Sequence, residues 1–171
     1  MDGPEEDDQV DGPEREGDAR RRGVFARLAK RSRAEIVETQ GPDEALWELQ
    51  QFTGRVVKKY GADSVNAARA QVELSLQLGK MRRWDEALLL REHSLETFRT
   101  RRGEDDPETL RTEVSLAIAL AHTGRWTESE DHLHHAASTG LEALGPDDEV
   151  TRLAEAKLEE FRRSQADNGT G

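Results

Sequence analysis

The chain has 171 residues, 36% of them charged and 34% hydrophobic, which is enough for one modest folded domain with some coreless sequence and excludes two globular domains. Its net charge of −11 disfavours a sequence-independent grip on nucleic acid or anionic lipid. The absence of cysteine excludes disulfides, thiolate catalysis and cysteine-bound zinc or iron–sulfur centres, so a zinc site would have to draw on the five histidines and the carboxylates.

Residues 1–18 carry nine acidic residues, two prolines and three glycines, with too little apolar content to offset the entropy of ordering. Arg20, Arg21, Arg22, Arg27, Lys30, Arg31 and Arg33 then follow with no acid between them. Residues 1–22 are therefore expected to be a disordered acidic and basic tail, and 165–171 a disordered C-terminus. The acidic start is unlike a secretory signal, and no stretch approaches the roughly 18 apolar residues of a membrane span, which points to a cytoplasmic protein. Twenty arginines against five lysines fit a high-GC bacterial gene.

Between the two ends the apolar residues recur at helical spacing, and the pattern repeats. A shift of 42 residues superposes Gly61 on Gly103 and Gly145, Asp63 on Asp105 and Asp147, and Arg69 on Arg111. It also brings Val72 onto Val114, Leu74 onto Leu116, Leu78 onto Leu120, and Arg83-Trp84 onto Arg125-Trp126. Asp43-Glu44-Ala45 meets Asp85-Glu86-Ala87, so the register reaches one unit further towards the N-terminus.

In chain order, a degenerate first unit spans 23–60, with helices expected over 24–38 and 43–60 that bury Leu28, Ile36, Val37, Leu46, Leu49, Phe52 and Val56. Unit 61–102 opens with a helix over 65–80, and unit 103–144 with its copy over 107–122. Asp106 is the expected N-cap of that copy, Pro107 its first turn, and Gly124 the turn that follows it. The second helices run from Trp84 to before Gly103 and over 126–144. Small residues at Ala87, Ser94, Ser129 and Ala136 allow close approach, and Trp84 and Trp126 are expected to fill the space at the turns. A lone helix over 147–163 has one apolar and one charged side and closes the stack. The whole repeat domain covers 23–164, an all-α solenoid of about seven antiparallel-paired helices.

A period of 42 also suits HEAT and armadillo repeats. The motifs are more specific. Leu-Ser-Leu-Gln-Leu-Gly-Lys-Met-Arg-Arg-Trp-Asp-Glu-Ala at 74–87 and Leu-Ala-Ile-Ala-Leu-Ala-His-Thr-Gly-Arg-Trp-Thr-Glu-Ser at 116–129 resemble the tetratricopeptide core. The linker Gly-Glu-Asp-Asp-Pro-Glu-Thr-Leu at 103–110 is similar to the connector of the kinesin-light-chain-like subtype. The resemblance covers about 43–163 and implies a right-handed superhelix whose first helices line a concave groove for a peptide or partner protein. Carried over by position, the groove residues are Arg69, Val72, Leu76 and Lys80 from one unit and Arg111, Val114, Ile118 and His122 from the next. The subtype usually places Asn beside the Leu of its first helix to hold a ligand backbone. This chain has Val72-Glu73 and Val114-Ser115 there, so an apolar strip edged by Arg and Lys is expected to prefer an amphipathic or acidic segment.

His132, His134 and His135, with Glu128 four residues before His132, are the one concentration of metal-capable side chains. The repeat register assigns them to an exposed polar face, where His93 is the counterpart of His135, and no metal or cofactor is expected. No Gly-x-Ser-x-Gly, phosphate loop or zinc-protease motif is present, so the chain is not expected to be an enzyme. The reading is a non-catalytic protein-interaction adaptor or scaffold. Its alternatives are a regulatory or sensing module of a bacterial signalling or transcription system and, more remotely, a metal-dependent hydrolase. The apolar N-terminal end of a short stack makes homo-oligomerisation a further expectation.

Overall fold

A computed structural model describes residues 41–168. The expected tail over 1–22 and the expected helix over 24–38 lie outside the described residues, as do residues 169–171.

Among the described residues the secondary structure is helical throughout: α1 Pro42–Tyr60, α2 Val65–Lys80, α3 Trp84–Arg102, α4 Pro107–His122, α5 Trp126–Ala143 and α6 Glu149–Asn168. Local chemistry sets the boundaries. Gly61, Gly103 and Gly145 follow α1, α3 and α5 with φ of 87°, 98° and 88°, a left-handed backbone that favours glycine. Three residues further on, Ser64, Asp106 and Asp148 each cap the next helix. The Ser64 hydroxyl accepts from the Ala67 N–H at 3.2 Å, Asp106 from Glu108 at 2.8 Å, and Asp148 from Val150 at 2.7 Å. The repeat therefore carries its own stop and start signals. α6 continues to Asn168, past the expected end at 163, because no helix breaker intervenes before Gly169.

The helices form two layers. α2, α4 and α6 make one, tied by the Arg69–Glu108 ion pair between α2 and α4 and by a core that α4 and α6 share. α1, α3 and α5 make the other: Leu46 and Leu49 of α1 join Ala87 and Leu90 of α3 in one apolar cluster, and Arg125 at the start of α5 reaches Glu92 of α3 at 3.3 Å. The core between the layers is distributed, as a thin repeat stack requires. Leu46, Leu74, Leu78 and Ala87 fill one part of it, Leu88, Leu95, Leu116 and Leu120 the next, and Leu110, Val114, Leu133, Val150 and Phe161 the last. Ala87, Ser94, Ser129 and Ala136 are fully buried, so the small residues do lie at the close approaches between helices. α6 buries Val150, Ala154, Leu158 and Phe161 while Arg152, Glu155, Glu159, Arg162 and Arg163 stay exposed.

Equivalent positions do not always have equivalent surroundings. Trp84 is half-buried, lying over Gly79 and flat against His122 with ring centroids 3.9 Å apart. Trp126 does not fill its turn as expected: it is 48% exposed and tilts over Phe161 at 6.1 Å. Gly79 leaves a seat for the first indole, whereas the matching position in the next unit carries the Ala121 methyl.

Candidate functional site

The eight residues named for the groove all sit on α2 and α4, and their surroundings divide them. Lys80, Arg111 and His122 are exposed, while Val72, Leu76 and Ile118 are half-buried. His122 has one ring face covered by Trp84. Arg111 is held loosely, with Nη1 3.4 Å from Glu149 Oε1, and remains available.

Two of the eight are engaged inside the fold. Val114 is 1% exposed because α6 closes over α4 at that point, so its side chain belongs to the core and not to a groove wall. Arg69 donates from Nε to Glu108 Oε1 at 2.8 Å and from Nη2 to Glu108 Oε2 at 2.6 Å. This planar two-point pair braces α2 against the start of α4, and Arg102 reaches Glu108 and Asp106 at 3.2 and 3.0 Å. Arg69 and Arg111 share a repeat position, yet one is a strut and the other is available.

The histidine cluster also divides. His134 is exposed. His132 and His135 are half-buried and converge on Glu113, with Nδ1 2.8 Å from Oε1 and 2.9 Å from Oε2 respectively. An ionised carboxylate only accepts, so both Nδ1 atoms carry the proton and donate. Arg99 adds a third contact at 2.8 Å. Glu113 itself is 1% exposed. Burial alone would raise its pKa, but the hydrogen bonds from His132 and His135, with the charges of His135 and Arg99, outweigh that and hold it below its usual value. The exposed-face reading of His132 and His135 is therefore corrected: their rings hydrogen-bond a buried acid. Glu128, the carboxylate first grouped with them, pairs instead with Arg125 at 2.6 Å. Among the described residues no group of three or more His, Asp or Glu is arranged to hold a metal ion.

Glu113 escaped the sequence reading, although a signal was present. It occupies the position of Gln71 on the buried stripe of the preceding unit, where an acid needs a partner. Arg91 escaped it too. This side chain is 3% exposed, its Nε donates to Ser75 Oγ at 3.2 Å, its Nη1 has no partner, and burial lowers its pKa to about 10.

Residues 66–132 match the family model for the tetratricopeptide repeat, a stretch that takes in α2, α3, α4 and the start of α5. Repeats of this family are in general protein–protein interaction modules. No curated protein matches the chain. Among the described residues no helix is long and apolar enough to cross a membrane.

Proposed function

We propose that the protein is a non-catalytic interaction adaptor, and that the layer formed by α2 and α4 receives a segment of a partner protein. The tetratricopeptide match over 66–132 carries this reading, because it spans both helices that would line the groove. The side chains there suit an amphipathic acidic segment. Half-buried Val72, Leu76 and Ile118 offer an apolar strip, and exposed Lys80 and Arg111 lie along its edge. Arg69 and Val114 leave the contact set, the first committed to Glu108 and the second to the core.

The test is the double substitution Lys80→Ala, Arg111→Ala, with binding of an acidic amphipathic peptide followed by calorimetry. Both side chains are exposed, so the thermal midpoint should stay within a few degrees of the parent. Affinity should fall about tenfold or more, with a weaker salt dependence. Unchanged affinity would remove this layer as the binding surface.

A further inference from the structure

The groove leaves the opposite layer unused, and that layer carries its own repeated feature. Trp47 on α1 and Leu89 on α3 occupy the same repeat position and are the most exposed large apolar side chains described, at 60% and 67%. α1 and α3 both pack on α2, and Leu46 and Leu49 of the first share an apolar cluster with Ala87 and Leu90 of the second around Leu74 and Leu78. The two side chains therefore stand at equivalent places on successive helices of the same layer. A single exposed Leu needs no explanation, but two large apolar groups at equivalent places on adjacent helices make a patch.

Carboxylates surround it. Asp43 and Glu44 lie one turn before Trp47, and Asp85, Glu86 and Glu92 within a turn of Leu89, all exposed. Glu96 follows one turn later, and the third copy of the position is itself an acid, Asp131. Arg83 pairs with Glu86, and Arg125 with Glu128 and Glu92, whereas Arg82 in the turn before α3 is exposed. Among the described residues Asp85, Glu96 and Asp131 have no ion-pair partner.

We infer that this outer face of α1 and α3 is a second docking surface and that its occupant is a basic amphipathic helix of a partner protein. Apolar side chains of that helix would cover Trp47 and Leu89, and its Lys and Arg would meet the flanking acids. Charge complementarity fixes the sign of the occupant, and the same acids repel nucleic acid and anionic membrane. The backbone argument fixes its form. A helical surface offers no free N–H or C=O row to an extended chain, whereas a helix brings its own backbone already satisfied.

The experiment titrates the full chain with a synthetic Lys/Leu helix carrying Leu at i, i+4 and i+7, alongside a scrambled peptide of the same composition. The amphipathic peptide should bind, more weakly at high salt, and the scramble about tenfold worse. Trp47→Ala, Leu89→Ala should weaken the amphipathic peptide about tenfold or more, and Asp85→Asn, Glu96→Gln should flatten its salt dependence. Lys80→Ala, Arg111→Ala should leave it unchanged, which separates this surface from the groove. Equal binding of the scramble, or full affinity in the Trp47 and Leu89 variant, would overturn the proposal. So would the absence of peptide binding together with a dimer that this variant dissolves, a result that would assign the face to a second copy.

Discussion

The units over 61–102 and 103–144 share a register without gaps, yet one row of buried positions between their paired helices is polar in the first and largely apolar in the second. In the first, Gln71, Ser75, Arg91 and Ser94 are all buried and add a polar row beside the apolar contacts of Leu74, Leu78 and Ala87. Ser75 accepts from Arg91, and the Ser94 hydroxyl lies 3.3 Å from Gln71 Oε1 and 2.7 Å from the Leu90 carbonyl. In the second, the same positions hold Glu113, Ala117, Leu133 and Ala136, so that row is apolar except for one charge at its end, and the polar crossing passes to Ser129, which donates to the Ala117 carbonyl at 2.8 Å. Arg99, His132 and His135 meet that charge, where the first unit has Val57, Leu90 and His93. One backbone geometry thus accepts either solution, provided each buried polar group finds a local partner. Each seam leaves one buried guanidinium nitrogen without a partner, Arg91 Nη1 in the first and Nε of Arg99 in the second.

Exchanging residues between the units tests how far each seam depends on its own partners. Glu113→Ala should have the largest effect, a loss of about 3 kcal/mol in chemical denaturation, because it strips the shared acceptor from Arg99, His132 and His135. Glu113→Gln, which imports the residue of the first unit, should cost less, about 1–2 kcal/mol. The reverse exchange, Gln71→Glu, should cost about 2 kcal/mol, because the new acid would face Val57 and Leu90 in place of Arg99 and His132. A neutral result there would mean that the partners in the second unit are incidental. The pH dependence follows from the lowered pKa of Glu113. A carboxyl held below its unfolded value, about 4.3, contributes stability above that value and loses it as pH falls through the folded one. The gap between the parent and Glu113→Gln should therefore be widest above the unfolded value and narrow as pH falls through the lowered folded one.

A smaller effect is expected at the turn. A Cβ at Gly79 would come 2.9 Å from Trp84 Cζ3, so Gly79→Ala, which imports Ala121, should displace the indole. The helical preference of Ala offsets part of the strain, leaving a net loss of about 1 kcal/mol. In a background with Trp47 and Trp126 changed to Phe, Trp84 emission should shift to the red. An unmoved spectrum would show that residue 79 does not decide the difference between the two tryptophans.

The smallest change runs the other way. Arg82 has a φ of 61°, the one non-glycine residue with positive φ among those described, and its counterpart is Gly124 with φ 81°. Arg82→Gly should stabilise the chain by about 0.5–1 kcal/mol, the left-handed strain relieved less the extra unfolded-state entropy of glycine. Gly124→Arg should lose a similar amount. Equal midpoints for parent and Arg82→Gly would indicate that the turn tolerates a side chain without strain.

The sequence by itself determined the five helices from Pro42 to Ala143 and their boundaries to within a residue or two, because those features are local. Helical spacing of apolar residues, left-handed glycines at 61, 103 and 145, and capping side chains three residues later act within a few residues of themselves, and the 42-residue repetition confirmed each from its copies. The tertiary structure alone decided which side chains are available. Arg69 and Arg111 look identical in the repeat pattern, and only the meeting of α2 with Glu108, 39 residues away, makes one a brace. Val114 is removed from the groove by α6, and His132 and His135 are turned inward by Glu113, 19 and 22 residues distant. Such pairings depend on where separate helices come to rest, and a periodic pattern, being the same in every unit, does not distinguish the copy that is covered from the copy that is open.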